Sequence, residues 1–250
     1  MSLESRVGNV IIINEKQEKE IMSLTSANQE LAEAAKTGDR AKILKLLAGG
    51  ADPRSEESLA LRAAAYDGHE ACVRLLLPLS DARAMESDAL KLAAAYGHEE
   101  CVRILLPASD PKAEGSYALR WAAQNGHAEC VRLLLPVSDP TARDFEALRF
   151  AAEDGHLECV RILLAASRPF RGIGGLLKGA IEEGRAKMAA LLIEEEPRLL
   201  DGINLSKCLA EALAQKHSAL ASYFSAIIDQ RALSGIDQNR AASRPVAARL

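Results

Sequence analysis

The chain has 250 residues, of which 48% are hydrophobic and 26% charged, so neither wholesale disorder nor a disulfide-stapled miniature fits, and one or two domains are allowed. Lys plus Arg number 31 against 35 Asp plus Glu, and a net charge of −4 exerts no global pull toward nucleic acid or an anionic membrane. Aromatic residues make up only 4%, which excludes a thick core of large rings and leaves thin layers of Leu, Ile, Val and Ala.

The first segment, residues 1–29, stands outside any repeat. It holds the apolar stretch Val10-Ile11-Ile12-Ile13 and then the charged run from Glu15 to Glu20, and reads as an N-terminal extension, either a short strand or a docking peptide. Its start lacks the basic and long apolar regions of a secretory signal, and no apolar run reaches the roughly 18–20 residues of a membrane span. A cytoplasmic location is the default expectation, with export as an effector by another route compatible with it.

From residue 30 to 228 the sequence repeats itself. A first unit, LAEAAKTGDRAKILKLLAGGADP, is followed by four near-identical ones: ALRAAAYDGHEACVRLLLP from Ala60, ALKLAAAYGHEECVRILLP from Ala89, ALRWAAQNGHAECVRLLLP from Ala118 and ALRFAAEDGHLECVRILLA from Ala147. Gly68, Gly97, Gly126 and Gly155 are 29 residues apart, and Gly184 continues the step in a weaker unit. A seventh, degenerate unit, LSKCLAEALAQKHSALASYFSAII, precedes a polar tail, residues 229–250, expected to be flexible. Each unit predicts two short helices, because apolar positions recur at helical spacing on both sides of the glycine. In one unit Leu90, Ala93 and Ala94 share a face of the first helix, while Cys101, Val102, Leu105 and Leu106 line the second. Glycine suits the left-handed turn between them, and Pro78, Pro107 and Pro136 stop the second helices. One such pair cannot bury its own apolar face, so the units must stack.

These residues resemble the ankyrin repeat family. The pattern Leu-x-x-Ala-Ala-x-x-Gly-His-x-x-x-Val-x-x-Leu-Leu is similar to that family's helix–turn–helix, and Gly50-Ala51-Asp52-Pro53 to its inter-repeat turn. The resemblance spans about residues 30–228 and implies an all-α solenoid of about seven units whose inner helices line a protein-binding concave surface. The family's usual Thr-Pro-Leu-His is replaced by Ala-Leu-Arg or Ala-Leu-Lys, and the period is about four residues short of the usual 33. Because the helices are intact, the shortening falls in connectors such as Pro78 to Glu86, where the family's projecting β-turn fingers are expected to be trimmed.

His69, His98, His127 and His156 follow the turn glycines, with Cys72, Cys101, Cys130 and Cys159 three residues on. Two ligands per repeat are too few for structural zinc, and helices stacked about 8–10 Å apart cannot pool them. Histidine is therefore expected to bond the turn backbone and cysteine to fill the core, with no metal and no cofactor. Arg74, Arg103, Arg132 and Arg161 lie beside Glu70, Glu99, Glu129 and Glu158 and read as a solvated outer face. The stretch Gly172-Ile173-Gly174-Gly175 precedes a helix but lacks the strand and the Gly-Lys-Ser/Thr of a phosphate loop. No nucleophile elbow or isolated carboxylate pair is present, and the chain is read as non-enzymatic, with no catalytic residues.

Two sets of residues remain for a partner. One is a basic ladder on the first helices, Arg62, Lys91, Arg120 and Arg149, suited to an acidic or phosphorylated ligand but also to internal pairing with Asp81, Asp110, Asp139, Asp88 and Glu146. The other is the variable pair before each glycine: Tyr66-Asp67, then Ala95-Tyr96, Gln124-Asn125 and Glu153-Asp154. The resemblance places these at the inner-helix ends opening onto the groove, with tyrosine as anchor and polar neighbours as contacts. Trp121 and Phe150 are expected to fill the core between repeats. The expected function is a scaffold that holds another protein on its inner-helix surface. The alternatives are an adaptor, inhibitor or secreted effector acting through the N-terminal extension, or ligand recognition by the basic ladder. A nucleic-acid partner is disfavoured; a monomer is expected, with dimerisation through the C-terminal unit as the alternative.

Overall fold

The computed structural model describes residues 15–167, 172–201 and 203–242, and among them every regular element is helical. Seven pairs follow one another: α1 (Glu15–Lys36) with α2 (Arg40–Ala48), α3 (Ser55–Tyr66) with α4 (Glu70–Leu76), α5 (Ala84–Ala95) with α6 (Glu99–Leu105), and α7 (Ala113–Gln124) with α8 (Ala128–Leu134). After them come α9 (Ala142–Glu153) with α10 (Leu157–Ala166), α11 (Ile173–Glu182) with α12 (Ala186–Glu195), and α13 (Leu205–Ala214) with α14 (Ser218–Ala242). The chain forms two compact units that divide between Ala118 and Leu119, inside α7. Helix α1 runs unbroken through residue 29; Val10 to Ile13 lie outside the described residues. At the other end α14 continues to Ala242, so the expected polar tail is helical through that residue.

The turn inside each pair follows from backbone chemistry. At Gly68 φ is +75°, and the His69 amide reaches back to the Ala64 carbonyl at 2.9 Å, the hydrogen bond that closes a helix through a left-handed residue. The next helix starts at Glu70, two residues after the glycine. In the seventh pair Lys216 adopts this conformation at φ +62°, where earlier pairs have glycine.

The core is thin and repeats. Leu61, Ala64 and Ala65 of α3 and Cys72, Val73 and Leu76 of α4 are buried, as are Leu90, Ala93, Ala94, Cys101, Val102 and Leu105 in the next pair. Leucine at the deepest position and alanine where helices cross give close approach without large rings. Phe224 of α14 is fully buried beside a half-buried Tyr223, while Leu213 and Leu233 are exposed.

Connectors carry the unexpected feature. Instead of β-turn fingers, each inner helix of the central repeats opens with three successive residues in left-handed conformation: Glu56-Glu57-Ser58, Met85-Glu86-Ser87, Glu114-Gly115-Ser116 and Arg143-Asp144-Phe145. A non-glycine residue costs about 1 kcal/mol or more there, so the turn needs compensation. Buried serines supply part of it. Ser58 Oγ accepts the Asp81 amide at 2.8 Å and Ser87 Oγ accepts the Asp110 amide at 2.7 Å, each joining one repeat to the next. Asp81, Asp110 and Asp139 in turn accept the amides two residues on, at 2.9 Å in each case, and so fix the connector.

Candidate protein-interaction site

Histidine and cysteine take structural places. His69 donates Nε2–H to the Lys36 carbonyl at 2.8 Å and His98 donates to the Tyr66 carbonyl at 2.7 Å, each satisfying the end of the preceding inner helix. A carbonyl only accepts, so these rings carry the proton on Nε2. The rings lie over the preceding turn glycine: a Cβ at Gly38, Gly68, Gly126 or Gly184 would fall within 3.0 Å of His69, His98, His156 or His217. Where the sixth pair replaces histidine, Arg185 Nη1 donates to the Ala152 carbonyl at 2.8 Å.

Cys72, Cys101, Cys130 and Cys159 are buried, and desolvation, followed by nearby glutamates, raises the Cys101 and Cys159 thiols to about 11. The folded chain then holds protons that an unfolded thiol releases near its ordinary value, about 8.5. Their contribution to stability is complete below the unfolded value and is lost as pH rises through the folded one. Calorimetry should show the melting temperature falling between about pH 9 and pH 11, with a smaller fall in Cys101→Ala/Cys159→Ala; an equal fall in the variant would remove the thiols as its cause.

The outer column is solvated as expected, with partners that cross between repeats. Arg74 pairs with Glu100 at 2.8 Å, Arg103 pairs with Glu100 at 3.2 Å instead of Glu99, Arg132 with Glu129 at 3.1 Å and also with Glu158, and Arg161 with Glu158 at 4.0 Å. Half-exposed pairs of this kind contribute about 0–1 kcal/mol each.

The basic ladder is mostly consumed internally, although not by the connector aspartates, which cap their own turns. Arg62 Nε donates to Asp88 Oδ2 at 2.7 Å. Arg120, only 5% exposed at its side chain, pairs with Glu146. Lys91 lies 3.4 Å from Glu114 and 3.7 Å from Asp88, donates to the Met85 carbonyl at 2.9 Å, and sits 5.6 Å from the Tyr117 ring centroid. It thereby ties down the left-handed turn of its own repeat. Glu86 and Glu114, on successive turns, share a hydrogen bond that raises the Glu86 carboxyl above its ordinary range, their mutual repulsion adding to it. Arg149 differs from the other three: its Nε is enclosed without a hydrogen-bond partner among the described residues.

The variable positions divide between the two units. In the first, Tyr66 and Tyr96 come together with ring centroids 4.3 Å apart and planes at 55°, while 40% and 46% of each residue remains exposed. A hydrogen bond with the Tyr66 hydroxyl holds the Tyr96 phenol above its ordinary range. Asp67 beside them is half-buried, with Oδ2 enclosed and unpartnered among the described residues. In the second unit Gln124 is half-buried, Asn125 donates to the Trp121 carbonyl at 3.0 Å, and Glu153 and Asp154 are exposed. Trp121 is corrected: it is 36% exposed, while its equivalents Ala63, Leu92 and Phe150 are half-buried. An indole is too large for a seam spaced for alanine and leucine, so it stays at the surface of its helix. The buried serines of the left-handed turns escaped sequence reasoning too, although Ser58, Ser87 and Ser116 recur at the repeat period.

No described helix is long and apolar enough to cross a membrane. No curated protein matches the chain. A family model described as ankyrin repeats in three copies matches residues 31–114 and 108–171, more than half the length. With seven helix pairs among the described residues, glycine–histidine turns and a buried core of Leu, Ala and Cys that recurs from pair to pair, the chain belongs to the ankyrin repeat family.

Proposed function

We infer that this protein is a non-enzymatic scaffold that binds another protein through its inner-helix surfaces, with Tyr66 and Tyr96 as the principal anchor. Ankyrin repeats generally mediate protein–protein interaction. The observation that carries the finer reading is the tyrosine pair: two adjacent rings in tilted contact, with centroids 4.3 Å apart, left exposed where the second unit presents Gln, Asn and acids. Rings held in place before binding lose little entropy when a partner covers them, and tyrosines of this kind dominate interface energetics. Asp67 supplies a polar rim. In the second unit Trp121, Gln124, Glu153 and Asp154 form the corresponding contact set.

Affinity capture from the native cell with wild type and Tyr66→Ala/Tyr96→Ala tests this. Truncating such an anchor typically costs about 2 kcal/mol or more, so partner recovery should fall at least about 30-fold while the circular dichroism spectrum stays unchanged. Undiminished recovery of every partner by a folded double variant would remove the pair from the interface.

A further inference from the structure

We propose that Arg149 is a receptor for a single carboxylate of a bound protein segment, an Asp or Glu side chain that completes from outside an ion pair the other repeats complete internally.

The inference rests on repeat register. Arg62 reaches Asp88 and Arg120 reaches Glu146, each 26 residues ahead in the next repeat, and the same step from Lys91 arrives at the Tyr117 ring. From Arg149 that step lands on Gly175, which has no side chain to offer. Helices α9 and α11, which carry the two residues, pack against each other. Arg149 forms no hydrogen bond or ion pair among the described residues, and its Nε is enclosed. An enclosed, unanswered guanidinium N–H is costly, and a carboxylate is the group that satisfies it best.

The space is also present. A Cβ at Gly175 would meet nothing within 4 Å, and the same holds at Gly174 and Gly179. Gly175 borders a hollow of about 240 Å³, with Ala152, Glu153, Leu176, Gly179, Glu183 and Arg185 among its walls. That volume admits a side chain and part of its neighbour. Glu183 is paired with Arg185 at 2.8 Å, which leaves Glu153 as the further acid of the walls, and the register, which sets Asp88 and Glu146 against the other arginines, favours a carboxylate over a phosphate. The helix opens where the sequence offered a weak phosphate-cradle reading, and the missing acid gives that glycine-rich stretch another purpose.

The proposal presupposes the binding-scaffold function but not the tyrosine anchor, so the two fail separately. The probe is a phage-displayed library of twelve-residue peptides selected on the full-length protein. Peptides that share an Asp or Glu are expected, and binding of their synthetic, fluorescein-labelled forms should weaken at least tenfold when that acid becomes its amide. A comparable loss is expected in Arg149→Gln and in Gly175→Glu, the latter because it supplies the internal partner. Gly175→Glu should also melt higher than Gly175→Gln, which shares the gain in helix propensity but not the charge, and Arg149→Gln should erase that difference. Peptides without a common acid, failure to select any binder, undiminished binding by Arg149→Gln, or tighter binding of a phosphoserine twin than of the Glu peptide would each overturn the assignment. Retained peptide binding by Tyr66→Ala/Tyr96→Ala is expected.

Discussion

Gly68→Ala is expected to destabilise the protein by about 2–4 kcal/mol in urea unfolding followed by helix content. Two costs add. Alanine at φ +75° places Cβ against its own carbonyl, about 1–2 kcal/mol, and the same Cβ enters the space of the His98 ring. That ring cannot swing away freely, because Nε2–H is held by the Tyr66 carbonyl at 2.7 Å. Gly155 separates the two terms: its φ is +82°, yet a Cβ there meets nothing within 4 Å, since Arg185 replaces the histidine. Gly155→Ala should therefore cost only the backbone share, and Gly68→Ala/His98→Ala should recover part of the loss by relieving the clash. Equal costs at Gly68 and Gly155 would show that the histidine–glycine seam contributes nothing to repeat packing.

Arg120→Met should be nearly as damaging, about 3 kcal/mol or more, because it leaves Glu146, 18% exposed at its side chain, without its cation. Replacing both partners, as Arg120→Met/Glu146→Leu, should return stability to within about 1 kcal/mol of wild type, since a well-packed apolar pair avoids the desolvation of two charges. Arg74→Met provides the contrast. Its side chain is 56% exposed and its ion pair is screened by water, so the loss should stay below about 1 kcal/mol. If Arg120→Met were as mild as Arg74→Met, the buried rung would not be structural, and Arg120 would join Arg149 as a candidate for partner contact.

These two sites also show where sequence reasoning reaches and where it stops. The histidine–backbone bond was legible because a ring next to every turn glycine, at one fixed period, needs a common structural purpose. The partners of the ladder were less so. Asp81 and Asp88 are equally plausible from composition, and only packing assigns the first to its own turn and the second to Arg62. Trp121 was misjudged because its alignment with Ala63, Leu92 and Phe150 indicates a shared position but not the width of the seam. The left-handed turns were invisible for a different reason. Glu56, Met85 and Arg143 have no individual preference for positive φ, and the conformation follows from repeats that must dock across connectors too short for a finger.

The sequence by itself determined the repeat, the helix pair within it, the glycine-closed turn and the Leu–Ala–Cys core, because helical periodicity and backbone conformation are local and recur with the 29-residue step. Tertiary structure alone decided which charges neutralise one another, that Tyr66 and Tyr96 meet while Trp121 stays exposed, and that Arg149 is left without an acid. Those outcomes depend on side chains about 26–30 residues apart in sequence being brought within hydrogen-bond or ring-contact distance, and such meetings are set by how repeats stack, which no local pattern encodes.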